Sequence, residues 1–264
     1  MMRKIGFIGS GNMAEAIIGG IVNSEYVRPE NIYASNRTMP KLLDLKVTYG
    51  INIAEDNQDV VRNCNVVFLS VTPDQYPTVI NEIKDIVSED NIIVLIAAGQ
   101  TIAQNEKQFN RSVKIVKAMP NTPVLVGEGL TTISFNELVT IEEQALIKNL
   151  FESFGRAEVI DESLMDTASA VGGSSPAFGY MFIEALADAA VRNGMPREKA
   201  YRIAAQALLG SAKMVLETGE HPAKLKDDVC SPGGTTIESV ASLEDSGFRA
   251  AVINAVQENI NKMK

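Results

Sequence analysis

Two stretches, NVVFLSV at 65–71 and NIIVLIAAG at 91–99, constrain the fold most. Both are nearly continuous apolar runs rich in β-branched residues. Strands of that composition are covered on both faces, as inside a parallel sheet. Parallel neighbours need a crossover connection, normally a helix, and 76–87 has helical character. The same alternation runs through the first part of the chain. KIGFIG at 4–9 and NIYASN at 31–36 read as strands. Residues 12–24 carry Met13, Ile17, Ile18 and Ile21 at helical spacing, and 39–50 read as a helix stopped by Gly50. SVKIVKAMP at 112–120 and GLTTISF at 129–135 are further strands. The pattern predicts a doubly wound, mainly parallel α/β sheet ending near Ile160.

Beyond Leu164 strand signals stop. Residues 176–194 and 196–219 each begin at proline and end at glycine, as helices do. A short helix follows His221 and Pro222, and two more are expected at 234–242 and 248–263. The 176–194 helix is apolar nearly all round, so it is expected to be buried on most sides. About a hundred residues of helix make a thin core by themselves, so this region is expected to pack against a second copy. The division read from the sequence is 1–161 and 162–264.

The net charge of −9 over 264 residues argues against a nucleic-acid face. Two cysteines, Cys64 and Cys230, are too few for a disulfide framework and show no metal-ligand spacing. They read as small buried or half-buried thiols in a reducing compartment. The single histidine, His221, cannot make a histidine zinc site alone, and a turn or packing role suits it. No apolar run reaches membrane-spanning length. The start of the chain, MMRKIGFIGSGNM, reads as a first strand and not a signal peptide, so a cytoplasmic location is expected.

Gly9–Ser10–Gly11–Asn12–Met13–Ala14 has the form G-x-G-x-x-A between a strand and a helix, the setting that a dinucleotide fingerprint requires. Gly9 permits the tight turn, Gly11 lets the backbone approach a pyrophosphate, and Ala14 packs the helix on the strand. The helix start offers free N–H groups to the phosphates. At the end of the second strand, NAD readers carry an Asp or Glu for the ribose hydroxyl. This chain has Ser35, Asn36 and Arg37. The guanidinium suits a 2′-phosphate, so NADPH is the favoured cofactor, with NADH as the alternative.

The late run Ser231–Pro232–Gly233–Gly234–Thr235–Thr236 has two readings. It can be an ordinary helix start, with Ser231 as cap and Pro232 in the first turn. It can also be an anion seat, in which Gly233 and Gly234 expose N–H groups at a helix start.

The chain resembles pyrroline-5-carboxylate reductases over essentially its full length. The matching stretches are IGFIGSGNMAEAI, DVVRNCNVVFLSVTP, AAGQTI, AMPNTPVLVGEG, IEALADAAVRNGMPREKA, AAQALLGSAKM and HPAKLKDDVCSPGGTTIESV. The resemblance implies a Rossmann-like N-terminal domain and an all-α C-terminal dimerisation domain, with dimers that often assemble as rings of five. It implies reduction of the cyclic imine 1-pyrroline-5-carboxylate to L-proline by NAD(P)H. It puts cofactor contacts on Gly9, Ser10, Gly11, Asn12, Met13, Ser35, Asn36, Arg37, Asn57, Ser70, Val71, Thr72, Pro73, Ala97, Ala98 and Gly99. It puts substrate contacts on Met119, Asn121, Val229, Ser231, Gly233, Gly234, Thr235 and Thr236. The Thr236 hydroxyl corresponds to the one that faces the ring nitrogen, which makes it the catalytic candidate. Five positions depart from the usual pattern: Thr72 for lysine, Lys117 for arginine, and Gly172, Ser175 and Phe178 in the run before the long helix.

Three alternatives stand beside this reading: another NADPH-linked imine reductase, a 3-hydroxyacid dehydrogenase, and a non-catalytic dinucleotide sensor. Such dehydrogenases carry a lysine and an asparagine in the central helix as acid–base groups. Residues 176–194 contain no lysine, and Asn193 lies at the far end.

Overall fold

A computed structural model describes residues 4–263; the basic start at Met1–Arg3, part of the N-terminal reading, lies outside them. The chain forms two compact units, one running to Gly173 and the other starting at Ser174.

In the first unit, β1 (Ile5–Ile8), α1 (Asn12–Asn23), β2 (Ile32–Ser35), α2 (Met39–Tyr49), β3 (Asn52–Ile53), α3 (Asn57–Asn63) and β4 (Val66–Leu69) follow in order. Then come α4 (Tyr76–Ile83), β5 (Ile92–Leu95), α5 (Ile102–Phe109), β6 (Lys114–Pro120), β7 (Gly129–Phe135), α6 (Ile141–Glu152), β8 (Gly155–Val159) and the single turn α7 (Met165–Ala168). Among the described residues the eight strands make one sheet, ordered β3-β2-β1-β4-β5-β6-β7-β8. The pairs from β3 to β6 are parallel, β7 is antiparallel to β6, and β8 is parallel to β7.

The apolar runs are buried on both sides because successive side chains enter opposite layers. Phe7, Phe68, Val94 and Val116 face one core with Ile17 and Phe151. Ile8, Leu69, Ile93 and Ile115 face the other with Tyr76 and Ile80. Phe7 stacks on Phe68 at 4.7 Å, and Phe151 meets Phe68 edge-on at 5.9 Å. Burying an aromatic side chain of this size contributes roughly 1.5–3 kcal/mol.

Helix α2 ends where expected, at Gly50 with φ +73°. The NIIVLIAAG run is strand only to Leu95, after which the chain turns through Gly99 at φ +72°. Helix α6 opens with a full capping box, Thr140 with Glu143. Strand β8 carries only one buried residue, Ala157, because it is the last strand of the sheet.

The second unit is helical: α8 (Ser175–Arg192), α9 (Arg197–Thr218), α10 (Pro222–Asp228), α11 (Thr235–Asp245) and α12 (Phe248–Met263). Helices α8 and α9 pack together, and Phe182 meets Phe248 of α12 at 6.0 Å. The expectation that the apolar α8 is buried on most sides fails within one chain. Its one buried residue is Ala187, while Tyr180 and Met181 are 61% and 68% exposed. The unit has too few elements to cover a helix that is apolar all round. No helix among the described residues is long and apolar enough to cross a membrane.

Candidate functional site: a nucleotide cavity and an uncapped helix start

The carboxyl ends of β1, β2 and β4 converge on a cavity of about 360 Å³ lined by Gly9, Ser10, Gly11, Asn36, Arg37, Asn57, Ser70, Val71 and Thr72, among others. Gly9 has φ +100°, donates its N–H to Ser35 O (2.9 Å), and leaves no room for a side chain: a Cβ would lie 2.6 Å from Ser70 O. At Gly11 a Cβ would meet nothing within 4 Å. The protein's own packing therefore leaves that space open, on the side where a ligand approaches the start of α1. Gly11 is the N-cap of α1 and supplies no capping side chain, so the first-turn N–H groups are available to an anion. The Ser70 hydroxyl is buried in the same cavity with no hydrogen-bond partner among the described residues. The bare Gly11 edge, the uncapped helix, the orphaned hydroxyl and the cations Arg37 and Lys41 fit a phosphorylated dinucleotide.

The polar side chains around this cavity hold one another. Asn36 Nδ2 donates to Ser10 Oγ (2.6 Å), and Ser35 Oγ donates to Asn57 Oδ1 (2.7 Å). Asn57 Nδ2 donates to Glu82 Oε2 (2.6 Å). Asn36 with Ser10, and Ser35 with Asn57 and Glu82, thus form two separate hydrogen-bonded sets beside the cavity. Arg37 is exposed at its rim. Ser35, Asn36, Arg37 and Asn57 also line an adjoining cavity of about 400 Å³. Hydrogen bonds from Thr72 and Gln75, with a smaller contribution from the Arg37 charge, hold the Asp74 carboxyl below its usual range. Thr72 is the N-cap of the short turn that begins at Pro73, through its backbone and without a side-chain cap bond; its carbonyl accepts the Gln75 N–H (2.9 Å).

Ala98 and Gly99 lie elsewhere, on a separate cavity of about 670 Å³ with Thr101, Lys117 and Glu162. The turn they belong to is tied to β4 by Tyr76, which sequence reasoning left as a plain helix residue. Its buried hydroxyl donates to Leu69 O (2.8 Å) and accepts from the N–H groups of Ile96 (3.3 Å) and Ala97 (3.2 Å). Burial pushes the phenol well above its ordinary range, so it stays a protonated tie. Lys41 and Glu82 were also missed; each reaches the cavity through helix packing that no local motif announces.

Asn121 is 8% exposed, and its amide is spent on the backbone. Its Nδ2 donates to Gly172 O (2.9 Å), and its Oδ1 accepts from Leu130 N–H (2.9 Å). It locks the β6–β7 connection, and Met119 is half-buried on β6. At Gly172 a Cβ would lie 2.6 Å from Leu130 Cδ2, the end of a flexible, half-exposed side chain that can shift aside. Ser175 is the first residue of α8 and Phe178 is half-buried on it.

In the helical unit, Val229, Ser231, Gly233, Thr235 and Thr236 are exposed. Gly234 donates its N–H to Ser231 O (3.0 Å) across Pro232 and Gly233, the latter at φ +66°, the shape of a type II turn. This corrects two expectations. Ser231 does not cap the helix, because the turn makes Gly234 the N-cap. Gly234 cannot offer its N–H to a ligand, because the turn consumes it. The N–H groups of Thr235 and Thr236 open α11 with no side-chain cap. His221 is a cap: its Nδ1 accepts from Ala223 N–H (3.2 Å) at the start of α10.

Cys64 is buried and Cys230 half-buried, both unpaired. Burial pushes the Cys64 thiol up to about 12, so it is a poor nucleophile at neutral pH. Native protein at pH 8 is expected to take one alkyl group per chain, on Cys230, and two only after denaturation. Mass spectrometry after iodoacetamide treatment reads this directly, and labelled Cys64 in native protein would contradict it.

Comparison with known proteins agrees with these parts. Residues 162–264 match the family model described as pyrroline-5-carboxylate reductase dimerisation, and 4–99 match NADP oxidoreductase, coenzyme F420-dependent. The chain is 50% identical over 262 residues to pyrroline-5-carboxylate reductase of Escherichia coli, covering 99% of this chain and 97% of that one. It is 41% identical to the Methanosarcina acetivorans protein of the same name, over 96% and 94% of the two chains. The solved pyrroline-5-carboxylate reductase of Coxiella burnetii superposes with a TM-score of 0.92 at 34% identity, covering 100% of this chain and 98% of the other. A Plasmodium falciparum pyrroline carboxylate reductase, solved with NADP bound, gives 0.88 at 34% identity, covering 99% and 97%. With the dinucleotide turn and the SPGGTT helix start both in place, the chain belongs to the pyrroline-5-carboxylate reductase family.

Proposed function

We propose that this protein reduces 1-pyrroline-5-carboxylate to L-proline with NADPH, the last step of proline biosynthesis, in the cytoplasm. The observation that carries the reading is membership of the reductase family along the whole chain. A protonated cyclic imine is already electrophilic at carbon, and the reduced nicotinamide supplies the hydride to it. The residues therefore have to place the substrate and exclude other geometries. The Gly9–Met13 segment receives the pyrophosphate at the start of α1. Ser35, Asn36 and Arg37, with Asn57 behind them, receive the adenosine end. Ser70, Val71, Thr72 and Pro73, then Ala97, Ala98 and Gly99, support the nicotinamide end. The N–H groups of Gly233, Thr235 and Thr236 hold the substrate carboxylate, and the Thr236 hydroxyl orients the ring nitrogen. Val229 and Ser231 border that helix start, Met119 is a further substrate contact in the first unit, and Asn121 keeps the Met119 segment in place.

Residues 162–264 carry self-association, supported by the exposed apolar surface of α8, and the dimers assemble further as rings of five. Light scattering on the purified protein reads the assembly mass.

The direct test mixes purified protein with pyrroline-5-carboxylate and NADPH, follows the absorbance of the reduced cofactor, and assays proline. Absence of proline at ordinary enzyme concentrations would overturn the reading. Arg37→Ala is expected to raise KM for NADPH about tenfold or more, the scale of one charge-assisted contact, and to leave KM for NADH within about twofold. Equal losses with both cofactors would reject the 2′-phosphate role.

A further inference from the structure

Lys117 stands on β6, beside Leu95 of β5 and Ser134 of β7 in the sheet register. Its side chain is 5% exposed. Buried ammonium groups are costly unless paired. Among the described residues it has one ion-pair partner, Glu162, with Nζ 3.8 Å from Oε1. That carboxylate oxygen has a second task. It accepts the N–H of Ile102 (2.8 Å), the first residue of α5. A negative charge at a helix start is also favoured by the helix dipole.

The position of this contact gives it meaning. Ile102 follows Gly99 by three residues. On its other flank, the same turn is held by the Tyr76 hydroxyl through Ile96 and Ala97. The 96–102 segment is thus pinned at both ends, by a neutral hydroxyl on one side and a charged clamp on the other. Between the pins, Gln100 is buried and accepts from Asn105 Nδ2 (3.1 Å), while the Ala98–Gly99 tip, with Gly99 at φ +72°, has open space beside it. The cavity of about 670 Å³ beside it is lined by Ala98, Gly99, Thr101, Lys117 and Glu162 together.

We infer that Glu162, held by the buried Lys117, is a positioning residue: it sets the place of the Ala97–Gly99 turn and thereby the nicotinamide end of the cofactor. This rests on the cofactor reading above. The clamp draws on residues 45 positions apart in the chain, joined only by the sheet. Without Lys117 the Glu162 carboxylate loses its counter-charge and turns toward water, releasing Ile102. Without Glu162 the α5 start loses its acceptor and Lys117 is left buried and unpaired.

Lys117→Met, Glu162→Ala, Glu162→Gln and the double variant Lys117→Met with Glu162→Ala separate the outcomes. Dissociation constants for NADPH and NADH come from cofactor fluorescence, and steady-state kinetics and calorimetry accompany them. Lys117→Met and Glu162→Ala are each expected to weaken both cofactors by the same factor, about tenfold, within the range of coupled contacts. Equal factors follow because the nicotinamide end is common to both, unlike the Arg37 effect. The double variant is expected to be no weaker than the worse single one. Glu162→Gln keeps an acceptor for Ile102 and is expected to recover most of the affinity. A lowered Tm with unchanged cofactor affinity would overturn the proposal, since the pair would then only hold the fold. Additive losses in the double variant would overturn the clamp as a unit. If the unmodified protein fails to bind NADPH, the cofactor reading itself falls; if it binds and the variants bind equally well, only the clamp falls.

Discussion

Gly9→Ala is expected to lower kcat/KM with NADPH by at least about a hundredfold, the scale of an ångström-sized displacement at a reacting pair, and to lower Tm as well. Two independent penalties meet at this position. The backbone has φ +100°, where an L side chain is strained. The new Cβ would lie 2.6 Å from Ser70 O and 2.8 Å from Ser70 C. Those are backbone atoms at the end of β4, so relief requires the β1 turn and the β4 turn to separate. That movement widens the cavity at the turn proposed to receive the pyrophosphate. Gly11→Ala is the matched control. Its Cβ meets no protein atom within 4 Å, so Tm is expected to stay while NADPH affinity falls. Calorimetry and fluorescence titration on the two variants read both quantities. Wild-type affinity in Gly9→Ala would remove the turn from cofactor binding.

Thr236→Ala is expected to reduce kcat about a hundredfold, at the low end of what a positioned proton-transfer group contributes, with Tm and NADPH affinity unchanged. The side chain is exposed in the first turn of α11, and its hydroxyl makes no hydrogen bond among the described residues. Nothing in the fold depends on it, so a loss of turnover would support the proposed contact with the ring nitrogen. Thr236→Ser is expected to recover most of the rate because it keeps the hydroxyl. Single-turnover measurements with saturating cofactor isolate the step, and an unchanged rate in Thr236→Ala would take the residue out of the mechanism.

Much of the Rossmann-like unit was legible because its signals are local. Strands β1, β4 and β5 are buried on all residues, so their apolar runs survive in the sequence as runs. The Gly9–Ala14 turn is legible because phosphate binding needs bare backbone at fixed spacing. Strand β8 was not legible: Gly155–Val159 is a polar edge strand with one buried residue, and half-exposed edges carry little pattern. Helix α6 announced itself only through Thr140 and Glu143. The apolar face of α8 was legible as apolar, but its cover was not, since one chain leaves Tyr180 and Met181 open.

The sequence alone determined the order of elements, the bare phosphate turn, the switch from strands to helices near Leu164, and the family. Each depends on spacing within a few residues, where helix and strand periods act directly. Tertiary structure alone decided which polar groups remain free for a ligand. It spent the Gly234 N–H on Ser231 and the Asn121 amide on Gly172 and Leu130, and left the Ser70 hydroxyl unmet. It also joined Lys117 to Glu162 and Tyr76 to Ala97. Such pairings depend on sheet register and on which helix crosses which strand, and no local period carries that information.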